Sequence, residues 1–578
     1  MTSIITAVFK ATIGLLVNKG RDAAAERLKD GDVTDQKFRG FIVREIDDVK
    51  SKLEGLARKD LLTSISYFRQ GVVYLFQLLD KAEGGMNISV ATQAGMETKR
   101  KGLEVNFQRP ETTAASVSLA EDLRKTKLTE LDGADGRALL NAKEGFKVAS
   151  LKATEAFNNE ALSSTDRIQA LVVRVAATLL EKVDYPEDAL AACRLCLEEL
   201  HSMQVVQNSF AVDLKKGLRG LFSKDERRQI ISAVCRVNRA IYDVFSMICG
   251  FGKDDESCVL FNWPAVDIGG EQVNPLLDSR VAKTLRKMAM QHLCVKWSFG
   301  QEGETNHKLE EPRGIATNAD GQFIIGDDGD KTIKVFDSCG MFTLCFPLSN
   351  DAASELECVE DILDVATDAN SNTFVLVILW KAGFQRLEWK IHIYSKNADP
   401  LLKFPVSKGD SRWGRLTVTN HSKVLVLVRN KGKDVVDVYE HDGRYVRTLG
   451  EGILKNAVDI TAAPDGIVII MDRADSCIYL FTEDGQQQSK FHIITEDCLY
   501  LRIDSHPTGE HVSVAGIDQG TFESLHLATY ATDGKLKRNA KVDERVSRLN
   551  FRGVTVTMEG RIAVAVIDEQ DKGKVIVF

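Results

Sequence analysis

Apolar residues recur at intervals of three and four over the first half of the chain, then alternate or run in short β-branched blocks over the second. In the first half Phe38, Phe41, Ile42, Ile46, Val49, Leu53 and Leu56 make one stripe, and Leu61, Leu62, Ile65, Phe68, Val72, Leu75 and Leu78 make the next. Stripes of this kind must be covered by other helices, so the spacing predicts an all-α region over residues 1–265. Start signals agree with it. Ser223 with Glu226 three residues on is a capping box ahead of Ile230, Ile231 and Val234, and Pro186 followed by Glu187 and Asp188 suits a first turn. Between 82 and 118, Gly84, Gly85, Gly95, Gly102 and Pro110 weaken the pattern and predict a connection that divides the region in two. The stretch from Thr165 to Met203, with Ala170, Val173, Ala177, Leu180, Ala189, Ala192 and Leu195, has the look of a helical-repeat pair, so bundle and helical repeat both stand. Residues 266–291, with Pro275 and an amphipathic stretch from Leu276 to Met290, are expected to be a linker.

The second half, 292–578, repeats a unit of apolar strand, turn, apolar strand, gap and third strand. With Ile315 marking the first strand, the equivalents are Val365, Leu416, Ile460, Ile503 and Val554, at steps of 50, 51, 44, 43 and 51 residues. Six residues after the marker come the turn glycines Gly321, Gly466, Gly509 and Gly560, replaced by Ser371 and Ser422 in the second and third units. Third strands recur at 391–394, 436–439, 478–481, 525–528 and 575–578. Units of this length holding short strands predict the blades of a six-bladed β-propeller. After Val554 there is room for three strands, and the run 293–299, which has no blade of its own, is expected to supply the fourth and close the ring.

Pro312 to Ala316, the pair Asp320 and Gly321, Asp327, and Ile333 to Asp337 resemble the NHL repeat, the propeller unit of the tripartite-motif NHL proteins. The resemblance covers about half the chain and is strongest in the first unit. It implies a recognition module for protein or RNA. No zinc-spaced Cys and His series precedes the helices, so the ubiquitin-ligase activity of RING-bearing relatives is not implied. The expected fold class is therefore multidomain, a helical bundle or helical-repeat-like region followed by an NHL-like all-β propeller.

Charge divides at the same boundary. From 292 onward there are 33 basic and 43 acidic side chains, net −10, which leaves 42 and 40, net +2, before it. The total of −8 names no nucleic-acid or membrane partner. An odd 11 cysteines without regular spacing suit a reducing compartment, and the expected location is cytoplasmic. Cys193 and Cys196, with His201 nearby, form a CxxC with no second pair, inside an apolar helical stripe, and read as core. Of the nine histidines after 291, His392 and His526 fall in third strands and His421, His441 and His506 in turns, so they are not expected to converge. No catalytic residue, metal site or cofactor is assigned, and the chain reads as a non-enzymatic interaction or scaffold protein.

The loops that enter each blade and those between second and third strands share one face. There Trp380, Lys381, Arg386, Arg412, Trp413, Arg429, Lys431 and Lys433 form a basic and aromatic sector, beside an acidic one carrying Asp327, Asp328 and Asp330. Trp and Arg anchor interfaces, so a protein or peptide partner is expected on the basic sector. The alternatives are single-stranded RNA stacked on the same sector and a membrane-active helical effector using the apolar run Ile4 to Leu16. Stable membrane insertion is not expected, since no stretch approaches the ~20 apolar residues a bilayer requires.

Overall fold

The computed structural model describes residues 36–51, 53, 58–93, 134–182, 186–215, 223–249, 262–348, 358–381, 385–406, 414–430, 432–494, 498–518, 524–543, 551–568 and 570–578. They belong to two compact units, one of residues 1–251 with 258–295, the other of 252–257 with 296–578.

The first unit is helical: α1 Gln36–Ser51, α2 Lys59–Gln93, α3 Ala134–Asn158, α4 Ser164–Glu181, α5 Pro186–Ser202, α6 Gln204–Leu214, α7 Lys224–Cys249 and α8 Ser279–Arg286. The two stripes read from the sequence bury Ile42, Ile46, Leu61, Ile65, Phe68 and Val72. Helices α2 and α3 cross at two glycines. A Cβ on Gly145 would stand 3.0 Å from the Gly71 backbone, and one on Gly71 would stand 2.8 Å from the Phe146 ring. Losing both side chains lets the helices approach closely enough for Phe68 and Phe146 to meet, ring centres 5.4 Å apart. The capping box at α7 forms in both directions, with the Ser223 amide donating to Glu226 at 2.9 Å and the Glu226 amide to Ser223 Oγ at 3.2 Å.

Two expectations are corrected. The connection expected from 82 does not begin there, because α2 runs through Gly84 and Gly85 to Gln93; two glycines at about 1 kcal/mol each are outweighed by a helix already nucleated over the preceding turns. The expected linker 266–291 is built into the helical unit. Val266–Asp267 pairs with Gln272–Val273, α8 starts on the Asp278 carboxylate, and Val281 and Leu285 are buried. Thr284 donates to Asp213 at 2.6 Å, tying α8 to α6.

The second unit is a ring of six four-stranded antiparallel sheets. Five blades take their strands in sequence order, with inner strands Pro312–Thr317, Cys358–Thr367, Arg415–Val418, Ala457–Ala462 and Cys498–Ser505. The sixth, opening at Phe551–Val556, takes its outer strand from Trp297–Phe299. There Phe299 pairs with Val575 and Trp297 with Val577, while Leu293 ends a short 3-10 turn instead of joining the strand. Phe299 lies 5.0 Å from both Phe323 and Phe336 of blade 1. Gly340, at φ +70, leaves room for that ring, since a Cβ there would stand 2.6 Å from it. One strand thus pairs with blade 6 and packs its ring into blade 1, completing the sixth four-stranded sheet. Between blades the core is apolar, as between blades 2 and 3, where Leu376, Ile378, Trp389, Leu416, Val426 and Val428 pack together.

Candidate functional site: the arginine-lined mouth of the channel

The residue just before the marker of each inner strand is Gly314, Asp364, Arg415, Asp459, Arg502 and Gly553 in turn, and all but Gly314 line one cavity shared by the inner strands. The pairing register slips immediately before five of these positions, between 312 and 314, 362 and 364, 457 and 459, 499 and 502, and 551 and 553. A bulge bends the strand and re-aims the residue that follows it. In blade 5 the bulge holds Tyr500 at φ +54, a conformation that costs a non-glycine residue of order 1 kcal/mol or more.

Carboxylates on the inner strands tie neighbouring blades together. Asp364 accepts the Leu416 amide at 3.0 Å, Asp459 the Ile503 amide at 2.8 Å, and Asp504 the Val556 amide at 2.7 Å. Burial pushes Asp364 and Asp504 up to about 6, and raises Asp459 against the pull of Arg502 and Arg415. Burial, with the Arg415 cation beside it, pushes Arg502 down to about 9. Arg552 is lowered by burial and by the nearby Arg313.

Arg415 and Arg502 line two cavities. One, of about 350 Å³, opens toward the loops after the inner strands and includes Asp364, Thr461, Asp504 and Thr555. The other, of about 280 Å³, lies on the face of the blade-entry loops and is lined by Arg415, Arg429, Asn456, Val458, Arg473, Tyr500, Leu501 and Arg502.

The residues singled out from sequence are placed unequally. Arg412, Trp413 and Lys431 lie outside the described residues, as do Ile4 to Leu16. Trp380 is half-buried against the core between blades 2 and 3, opposite Arg386 in the strand pair, and Lys381 stands opposite Gln385. Arg429 belongs to the pocket wall. Its Nε and Nη2 donate to the two oxygens of Asp434 at 2.6 and 2.8 Å, and Nη2 also reaches Asn456 at 2.9 Å. Asp434 is wholly buried and accepts the Ala457 amide as well, so Arg429 is a fixed structural cation rather than a free surface one. Lys433 is 63% exposed, with Glu451 3.8 Å away.

The acidic sector is held internally. Asp327 accepts the Glu310 and Glu311 amides at 2.9 and 2.7 Å and pairs at 2.7 Å with Lys334, both side chains fully buried. Burial alone would lower Lys334, but the carboxylates of Asp327 and Asp330 outweigh it and raise it. Asp328 binds Lys331 at 2.7 Å and accepts the Ile362 amide.

Sequence reading missed Arg415, Arg473 and Arg502. Their signal was present, because Arg415 and Arg502 each stand one residue before a repeat marker. Cys193 and Cys196 are buried in α5, with burial pushing Cys196 up to about 11. Among the described residues no three His, Cys, Asp or Glu side chains are grouped to hold a metal ion, and no helix is long and apolar enough to cross a membrane.

The fold defines the class, a six-bladed β-propeller carried with a helical region, and it is consistent with an NHL-like propeller. The chain is homologous to an NHL-repeat protein, Protein brain tumor of Drosophila melanogaster, at 24% identity over 218 residues, 38% of this chain and 16% of the fly protein. The match therefore spans well under two thirds of that protein's length. No family model matches the chain. Similar solved structures include a streptogramin B lyase, with 12% identity, 49% of this chain and 98% of that chain covered, and TM-score 0.33. Virginiamycin B lyase from Staphylococcus aureus has 13% identity, 46% and 95% covered, and TM-score 0.31. Neither lends this chain an activity.

Proposed function

We propose that this chain is a non-enzymatic interaction protein whose propeller recognises a protein or peptide partner on the blade-entry face. The observation that carries the reading is the convergence of Arg415, Arg473 and Arg502, beside Arg429 held on Asp434, on one pocket at the channel mouth. Arginine is the side chain most suited to anchoring a partner there, since its planar fork binds oxyanions bidentately and its stem contributes apolar contact. The exposed Lys433 extends the cationic surface outward, and Trp380, Lys381 and Arg386, with Arg412, Trp413 and Lys431, make up the remainder of the proposed contact face. The cytoplasm is the proposed location. The brain tumor homology supports a recognition role over an enzymatic one.

RNA is the second reading, favoured by the same arginines. Capture of partners by the full chain, with and without nuclease, separates the two. Protein capture that survives nuclease and falls in the Lys431→Glu, Lys433→Glu variant supports the first reading. Capture lost to nuclease, with affinity falling steeply with salt as counterions are released, supports the second.

A further inference from the structure

The entry-face pocket is walled by four arginines and contains no acidic side chain in its lining. They come from separate elements. Arg415 opens the inner strand of blade 3, Arg429 lies near the end of that blade's second strand, Arg473 follows the second strand of blade 4, and Arg502 sits in the inner strand of blade 5. The carboxylates that hold two of them, Asp434 and Asp459, stand outside the lining and are themselves taken up by the Ala457 and Ile503 amides. Arg415 is 9% exposed, and its Nε makes no hydrogen bond, its carboxylate neighbour Asp459 being 3.6 Å away. Arg473 is exposed at the rim. Arg429 is paired with Asp434 and Arg415 lies 3.6 Å from Asp459, so an anion entering the volume of about 280 Å³ would meet chiefly Arg473 and Arg502, with no carboxylate in the lining to oppose it. The depression of Arg502 by burial and by Arg415 agrees with that.

We propose that this pocket takes the phosphate of a phosphorylated side chain on a peptide partner. The inference rests on the partner-recognition reading above and names the chemistry of the partner. A phosphate monoester carries about −1.5 to −2 charge near neutral pH and three acceptor oxygens, and so can engage several forks at once. A carboxylate, with one charge and two oxygens, is satisfied by a single fork and leaves the others uncompensated. The site is a partly open pocket with one aromatic, Tyr500, in its lining; single-stranded nucleic acid takes a groove with successive stacking rings.

The test uses the full chain and three degenerate peptide libraries alike except for a fixed central phosphoserine, serine or aspartate, with binding read by fluorescence anisotropy. The phosphoserine library is expected to bind most tightly, and Arg473→Gln, at an exposed rim position, to weaken it about tenfold, the loss of one charge-assisted hydrogen bond. Inorganic phosphate should raise the melting temperature of the parent more than that of Arg473→Gln, the general salting effect of phosphate being common to both. Lys433→Gln, outside the pocket, should leave that difference intact. Equal binding of the three libraries overturns the proposal, as do a parent-like Arg473→Gln or an oligouridylate that depends on Arg473 where the phosphoserine library does not bind. If the libraries fail while partner capture still falls in the Lys431→Glu, Lys433→Glu variant, the recognition face stands and the phosphate pocket falls. If capture is also unchanged, both fall.

Discussion

His201 shows what burial does to one side chain. It sits 2% exposed in the helical unit, where Asn238 Nδ2 donates to its Nε2 at 3.0 Å and Trp263 Nε1 donates to Asn238 Oδ1 at 2.7 Å. Burial pushes its pKa down to about 4 from the ordinary 6.5. The unfolded chain therefore binds the extra proton first as pH falls, so the stabilisation is full above 6.5 and is lost progressively toward pH 4. The difference amounts to about 3 kcal/mol. Urea unfolding followed across pH 7 to 4 should show the parent losing that much more than a His201→Gln variant; parallel curves would mean the imidazole is solvated. Lys334 shows the opposite solution, a buried cation kept charged by two carboxylates at 2.7 Å.

Among the elements, the closing strand Trp297–Phe299 has the largest consequence for its length. Three residues complete blade 6 and place an aromatic ring among Phe323 and Phe336 of blade 1. Phe299→Ala should cost about 3–5 kcal/mol, the loss expected for emptying a well-packed aromatic site. The propeller should then melt several degrees lower, measured by near-ultraviolet circular dichroism. A loss under about 1 kcal/mol would mean that backbone pairing alone closes the ring. The period of the strands was legible in the sequence, since turn glycines and apolar blocks recur at the blade spacing. The bulges were not. A bulge is a mismatch between two strands, and neither strand shows it alone, so Arg502, which follows one, was passed over for basic residues in the loops.

At the scale of the whole molecule, the two compact units give the chain two cores. We propose that they unfold independently, which makes the effects of His201→Gln and Phe299→Ala additive to within about 0.5 kcal/mol in the double variant. Each should shift one of two calorimetric transitions. A single transition moved by both substitutions would show one cooperative core.

By itself the sequence determined the class of each half, the number of blades and the helix start at Ser223, because periodicity and capping are local and are written into neighbouring residues. It also flagged cations on the entry face. Only the tertiary structure decided which of them are free. Arg429 is fixed on Asp434, and Asp327 is neutralised by Lys334, pairings across a strand turn that composition cannot reveal. Arg415, Arg473 and Arg502 come together from blades 3, 4 and 5, up to 87 residues apart in sequence, because ring closure superposes positions that the chain holds far apart.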